Sequence, residues 1–246
     1  MEKLILITGG SRGIGAATAV LAAAQGYTVA LNYRRDDSAA REVQRAIVSR
    51  GGKATLVAAD VATAAGVSTL FAGVDELDLP LLAMVNNAGV VGHVMPFEEY
   101  TDERLDHTIA VNVLGAMRVA RETIKRMLKH GKGGAIVNIS SAAARIGSPG
   151  EFIDYAASKG AVDTLTLGLA KEYGARGIRV NAVRPGLIRT EIHAAAGAPD
   201  RIERLAPAVP MARVGEVEEV AQAIAWLLSD AASYVNGSLL DVAGGR

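Results

Sequence analysis

Short apolar runs without helical period alternate along the chain with longer stretches whose apolar residues recur every three or four positions. The first kind predicts buried parallel strands, the second helices laid against them. On this reading strands cover 3–8, 28–33, 54–59, 81–85, 135–139, 178–183 and 238–242. Helices cover 16–25, 37–50, 64–77, 102–129, a stretch opening near Tyr155 and running to about 173, and 216–228. Gly26, Gly51-Gly52 and Gly131 supply helix stops. Strand and helix alternate to the end without a linker or a break in composition. The pattern therefore predicts a single doubly wound α/β domain over 1–246, with a parallel sheet of about seven strands flanked by helices. Only 187–212, with three prolines and no clean period, departs from the alternation, and it is expected to form a mobile substrate lid.

Composition narrows the function. Half the residues are hydrophobic and 4% aromatic, so the core must be built from Ala, Val, Leu and Ile, as suits a sheet covered on both faces. The 26 basic and 26 acidic residues cancel, which leaves no global field directed at nucleic acid or an anionic membrane. No apolar run approaches the ~20 residues of a membrane span. The apolar run at the N-terminus is too short for a signal peptide and breaks into glycine, so a cytoplasmic protein is expected. The absence of cysteine excludes disulfides and thiolate nucleophiles. His93, His107, His130 and His193 are scattered, with no pair at i,i+4, and no metal site is expected.

In doubly wound sheets ligands bind beyond the carboxyl ends of the strands, at the switch point. Thr8-Gly9-Gly10-Ser11-Arg12-Gly13-Ile14-Gly15 falls there, between the first strand and the first helix. Its glycines allow a tight turn and the approach of a pyrophosphate to a helix N-terminus, although the spacing is not the usual G-x-G-x-x-G of a Rossmann-type loop. The second strand ends Asn32-Tyr33-Arg34-Arg35, with no carboxylate before Asp36. A carboxylate at that point would bind the ribose hydroxyls of NAD, whereas Arg34 and Arg12 could clamp a 2′-phosphate. NADP(H) is therefore expected over NAD(H).

Asn86-Asn87-Ala88-Gly89 and Ser140-Ser141 follow strands four and five and fall on the same edge. Beyond them stands Tyr155-Ala-Ala-Ser-Lys159. On a helix this spacing puts phenol and ammonium on one face, one turn apart. A cation there would lower the tyrosine pKa from its unperturbed ~10, making it a usable general acid/base. In isolation the pair reads as an ordinary surface pair on an amphipathic helix, and the rest of the chain must support the other reading.

Taken together, and in this order along essentially the whole chain, these residues resemble the short-chain dehydrogenase/reductase family: Thr8-Gly9…Gly13…Gly15, Asp60-Val61, Asn86-Asn87-Ala88-Gly89, Asn112, Ser141, Tyr155…Lys159, and Pro185-Gly186 with Thr190. The resemblance implies that Asn112, Ser141, Tyr155 and Lys159 are catalytic. It implies a cofactor site of Thr8, Gly9, Ser11, Arg12, Gly13, Ile14, Gly15, Arg34, Asp60, Val61, Asn87, Ala88, Gly89, Tyr155, Lys159, Pro185, Gly186, Ile188 and Thr190. Asp60 and Val61 would hold the adenine edge, Asn87 to Gly89 the adenosine ribose side, Thr190 the carboxamide, and Asn112 a water linking Lys159 to solvent. Ser141 lies fourteen positions before Tyr155, one more than is usual in the family. The loop 145–151, with Gly147, Pro149 and Gly150, is expected to absorb the extra residue, and Ser140 is the alternative serine. The Arg-Asp pair that often follows Asn-Asn-Ala-Gly in the family's fatty-acid-synthesis reductases is absent, the chain continuing Val90-Val91-Gly92-His93.

The leading expectation is an NADP-dependent dehydrogenase or reductase of a small carbonyl or secondary alcohol. The alternative is a 3-oxoacyl carrier-protein reductase, which would need a basic rim that Lys129, Lys132 and Arg176 could supply. A non-catalytic NADP-binding regulator is the remaining alternative. Loops 91–97, 145–154 and 187–210 should shape the substrate pocket, with Phe152 and Ile153 as an apolar wall and Ile192, His193, Arg201 and Glu203 in the lid. Small residues on the Tyr155 helix and the helix before it, with the resemblance, imply a homotetramer, with a dimer as the alternative.

Overall fold

The computed structural model describes residues 2–246, and for His193 the backbone alone, so the expectation placed on that side chain lies outside the described part. The chain runs β1 (Lys3–Ile7), α1 (Gly13–Ala24), β2 (Tyr27–Tyr33), α2 (Asp37–Val48), β3 (Lys53–Ala58), α3 (Ala64–Asp75) and β4 (Leu81–Asn86). It continues through α4 (Asp102–Ile109), α5 (Ala116–His130), β5 (Gly134–Ile139), α6 (Ala143–Ile146), α7 (Ile153–Tyr173) and β6 (Ile178–Pro185). Two short helices, α8 (Ile192–Ala195) and α9 (Arg201–Leu205), precede α10 (Val217–Leu228) and β7 (Leu239–Val242).

Alternate side chains of each strand enter different cores, because successive residues of a strand face opposite ways. Leu4, Leu6, Met84, Ile136 and Val180 join a core completed by α3 and α5 residues such as Leu70, Phe71, Val119 and Ile124. Ile5, Ile7, Val29, Leu31, Val85 and Val137 join another, completed by α1, α2 and α10 through Ala19, Ile47, Val220 and Ile224. Burial on both faces is why the strands appear in the sequence as unbroken apolar runs.

The sheet order is β3-β2-β1-β4-β5-β6-β7, with every pair parallel. Order reverses at β1, where Ile5 pairs with Val29 on one side and Ala83 on the other. That switch point opens a crevice at the carboxyl edge. All the strands point their carboxyl ends to it.

Two helices differ from expectation. The first opens at Gly13 rather than Ala16, so part of the glycine loop forms its first turn. The long helix is interrupted: Thr101 caps α4 by accepting from Arg104 N at 3.3 Å, and Ala110–Gly115 then forms a π turn before α5 resumes. Wider turns of this kind relieve local strain and recur at functional sites. Gly131 ends α5 in the left-handed conformation, φ 67°.

The stretch 187–212 packs around its own small cluster of Leu187, Val209 and Val214, with Ile202 and Leu205 against it. An isolated bridge from Ile188 to Gly215 fixes its base. No described helix is long and apolar enough to cross a membrane.

Candidate active site

A cleft of about 540 Å³ runs along the carboxyl edge, a size usual for small-molecule sites. Its lining includes Gly9, Ser11, Arg12, Gly13, Ile14, Arg34, Asp60, Val61, Asn87, Ala88, Gly89, Ser141, Tyr155, Lys159, Pro185, Gly186, Ile188 and Thr190. Of the residues expected at the site, Thr8, Gly15 and Asn112 instead stand behind this wall.

Thr8 is fully buried, and its hydroxyl oxygen accepts from the main-chain N–H of Asn87 and of Ala88, each at 3.0 Å. It binds the loop after β4 to the glycine loop. Asn87 returns the link, its Nδ2 donating to the carbonyls of Thr8 and Gly9 at 2.9 Å. Gly15 must be glycine for packing: a Cβ there would fall against the Gly9 carbonyl and 2.6 Å from Asn87 Nδ2. Gly9 and Gly13 have φ of 62° and 54°, which favours glycine for backbone reasons.

Asn112 lies in the π turn and is buried. Its Nδ2 donates to Val90 O at 2.9 Å and Ser158 Oγ at 3.0 Å, and its Oδ1 accepts from Val90 N at 2.8 Å. The side chain ties the loop after β4 to α7. Asn86 and Asn138 form a separate buried group, with Asn86 donating to Asn138 at 3.2 Å and Asn138 donating to Thr166 at 2.9 Å.

Tyr155 and Lys159 occupy the opening turns of α7. The start of that helix is held by a buried ion pair: Asp154 receives Nε and Nη2 of Arg104 at 3.0 and 2.9 Å, and the Thr108 hydroxyl at 3.0 Å. Arg104 also donates to His93 O and stacks 3.6 Å from the centre of the Tyr100 ring. The Tyr100 hydroxyl accepts from Ile153 N and donates to Glu151 O, each at 3.1 Å.

Both serines line the cleft, and they differ in their partners. Ser140 is buried and donates to the Lys159 carbonyl at 3.2 Å. Ser141 lines the cleft, accepts from Ala143 N at 3.1 Å and hydrogen-bonds the Tyr155 phenol. Between Ser141 and α7 the chain takes positive φ at Gly147, Ser148 and Gly150, a turn sequence with room for the extra residue of this loop.

Burial pushes the Tyr155 phenol above its ordinary value, and the Ser141 hydrogen bond and the Arg201 charge pull against it. Burial also pushes Lys159 down to about 8, opposed by the charge of Asp163. Lys159 Nζ donates to the Ile139 carbonyl at 2.7 Å. The expected lowering of the tyrosine pKa by Lys159 is therefore not met here: burial dominates, and the ammonium is aimed at the strand end.

At the other end of the cleft, Arg12 Nη1 lies 3.3 Å from Glu191 Oε2, and Arg34 Nη1 lies 3.9 Å from Asp60 Oδ2. Asp36, the first carboxylate after β2, caps α2 by accepting from Ala39 N at 3.0 Å. At the substrate end Phe152 lines the cleft as expected, whereas Ile153 does not. Lys129, Lys132 and Arg176 precede the amino ends of β5 and β6, so they sit at the edge opposite the cleft and form no rim around it. Sequence reasoning missed Glu191, Asp154, Arg104 and Glu151, all joined to partners remote in the chain.

A sequence model described as Enoyl-(Acyl carrier protein) reductase matches residues 9–246. The uncharacterized oxidoreductase YgfF of Escherichia coli (strain K12) is 55% identical over 99% of each chain. A structure of a short-chain type dehydrogenase/reductase from Mycobacterium marinum superposes with a TM-score of 0.93 at 34% identity, covering 99% of this chain and 94% of that one. Another, from Beutenbergia cavernae, is described as an NAD(P)-dependent gluconate 5-dehydrogenase by assignment, with NADP bound at low occupancy; its TM-score is 0.90 at 37% identity, over 99% and 96%. With the parallel seven-stranded sheet and the cleft at its switch point, these matches establish that the chain belongs to the short-chain dehydrogenase/reductase family and is an oxidoreductase.

Proposed function

We propose that the protein transfers a hydride between NADP(H) and a carbonyl or secondary alcohol, with Tyr155 as general acid/base. The observation that carries this reading is that Ser141, Tyr155 and Lys159 share one cleft with the glycine loop. A dinucleotide fits the cradle: Gly9 lets the turn pack closely against Ala88, Gly13 puts no side chain between the turn and Thr190, and α1 opens there with its free N–H groups. Asp60 and Val61, then Asn87 to Gly89, would line the adenosine half. Pro185, Gly186, Ile188 and Thr190 would line the nicotinamide half, beside Tyr155 and Lys159.

The bound nicotinamide supplies the hydride. The chain supplies the proton and the electrostatics. In reduction, Ser141 and Tyr155 donate hydrogen bonds to the carbonyl oxygen as negative charge grows on it, and Tyr155 gives up its proton. Lys159 stabilises the resulting phenolate, and the main chain at Asn112 would hold the water that returns the proton. The hydroxyl of Ser141 already meets the phenol, which favours it over Ser140 for this role.

Preference for NADP(H) is supported by Arg12 and Arg34 at one end of the cleft and by the commitment of Asp36 to a helix cap. Steady-state reduction of a panel of ketones and aldehydes, and oxidation of the matching alcohols, with both cofactors, read at the nicotinamide absorbance, tests the reading. Turnover with higher kcat/KM for NADPH than NADH is expected, and no turnover of any carbonyl would overturn it.

The name carried by the matching sequence model favours a second reading, a reductase of acyl carrier-protein substrates such as a 3-oxoacyl thioester. Lys129, Lys132 and Arg176, the side chains expected to meet an acidic carrier, lie at the opposite edge, which counts against it. Acetoacetyl thioesters assayed beside simple ketones separate the two. A regulator without turnover would not need the intact group of Asn112, Ser141, Tyr155 and Lys159.

A cytoplasmic homotetramer is the assembly proposed. The exposed Ile109, Leu114, Met117 and Leu167 along α4, the π turn, α5 and α7, and the open faces at Gly160 and Gly168, would suit a second copy. Light scattering on the purified protein distinguishes tetramer from dimer.

A further inference from the structure

The substrate end of the cleft carries a charge arrangement that hydride transfer does not use. Arg201 opens α9, is nine-tenths buried, and lines the cleft with Phe152 and Tyr155. Its Nη2 donates to Glu151 Oε2 at 2.7 Å and its Nε to Oε1 at 3.4 Å. The guanidinium carbon lies 5.3 Å from the centre of the Phe152 ring. Around it the wall is apolar, formed by Ile146, Ile192, Ala195 and Ala196. Glu151 stands outside that wall, held by the Tyr100 hydroxyl on its carbonyl and by Arg204 at 3.8 Å.

A guanidinium in a part-desolvated apolar pocket is a strong attractor of anions, since the local dielectric screens it poorly. A carboxylate placed behind it cancels that attraction and holds the planar group in one orientation. The arrangement is therefore a cation visible from the cleft whose charge is neutralised from outside it. A residue serving only to fasten the lid would not need to line the cleft or to bring its charge to bear on Tyr155.

We propose that Glu151 makes this cleft select uncharged carbonyl compounds over carboxylated ones, by cancelling the charge that Arg201 presents to the substrate. The inference rests on reading the cleft as the substrate site of a carbonyl oxidoreductase. Binding, measured apart from turnover, lets the two fail separately. Arg246 also lines the cleft, but its charge is the same in every variant compared.

The protein, saturated with the nicotinamide dinucleotide it binds, is titrated calorimetrically with hexanoate and with hexanamide, probes of one length that differ in charge. Wild type should bind hexanamide at least as tightly. Glu151→Gln, which keeps the shape and removes the anion, should raise the affinity for hexanoate relative to hexanamide at least tenfold. Arg201→Met, which removes the cation facing the cleft and leaves Glu151 only the more distant Arg204, should lower that ratio at least tenfold. A fastening role would weaken both probes alike and leave the ratio unmoved. An unchanged ratio in either folded variant, failure of both variants to fold, or no binding of either probe to any of the proteins overturns the proposal. Shifts of opposite sign in a protein that reduces no carbonyl would sustain the charge selection while defeating the proposed reaction.

Discussion

The Lys159 ammonium donates to the Ile139 carbonyl at 2.7 Å and lies 5.5 Å from the centre of the Tyr155 ring. A buried cation with a neutral acceptor costs stability, and burial accordingly pushes Lys159 down to about 8. Lys159→Met should therefore lose reductase activity without losing stability. Unfolded chain holds the lysine proton more tightly than folded chain between pH 8 and the ordinary value of 10.5. Wild type then gains stability as pH rises through that window, while the methionine variant does not. At pH 7 the variant should be more stable by up to about 3 kcal/mol, the free energy equivalent to that displacement. The gap should narrow toward pH 10, the limit below which Tyr155 remains protonated in both states. Urea unfolding at pH 7 and pH 9.5 checks this, and a less stable variant at pH 7 would contradict it.

Tyr155→Phe removes the phenol while keeping the ring that the cleft wall and Lys159 pack against. Loss of general acid catalysis should lower kcat by roughly 10²–10⁴-fold. NADPH affinity, read by fluorescence titration, should change less than threefold, since the cradle lies in the glycine loop. Undiminished turnover would remove Tyr155 from the mechanism.

Most of the fold was legible because both faces of the sheet are buried, so strands such as Leu4–Ile7 stand out against amphipathic helices such as α5. The π turn at Ala110–Gly115 was not, since one extra residue per turn barely disturbs an apolar period over six residues. Tyr155 and Lys159 were legible as a pair because helical spacing alone places them on one face. The aim of Lys159 was not, because its partner is a main-chain carbonyl of β5 that no residue type announces. Arg104–Asp154 and Arg201–Glu151 each join residues fifty positions apart, beyond any local pattern. Lys129, Lys132 and Arg176 misled for a geometric reason. Charge is visible in a sequence, but the sheet edge it occupies depends on strand polarity.

Arg34 tests the cofactor reading without touching the chemistry. Its guanidinium is more than one-third exposed and only 3.9 Å from Asp60, so the pair adds little to stability. Arg34→Gln should leave unfolding almost unchanged. A phosphate held by this side chain contributes about 1.5–3 kcal/mol, so KM for NADPH should rise roughly ten- to a hundredfold. KM for NADH should move by less than threefold. Equal effects on both cofactors would place the 2′-phosphate elsewhere.

Asp154 adjoins Tyr155, is buried, and pairs with a largely covered Arg104. Burial alone would raise its pKa, but the hydrogen bonds from Arg104 and Thr108 outweigh that and hold the carboxyl below its ordinary range. A depressed carboxyl stabilises the fold above its unfolded pKa, and the contribution is lost as pH falls through the folded value. Asp154→Asn leaves the Arg104 guanidinium buried without its anion, a loss of about 3–5 kcal/mol for a broken buried pair. The wild-type advantage should hold from pH 8 to pH 5 and shrink below pH 4, where the unfolded carboxyl takes up its proton. Because Arg104 also secures His93 O and the Tyr100 ring, kcat should fall along with stability as the first turn of α7 loosens around Tyr155. Arg104→Lys, which keeps the charge but not the two-pronged grip, should recover part of the stability and little of the kcat. Full recovery of both by lysine would mean that charge alone, rather than the geometry of the grip, positions Tyr155.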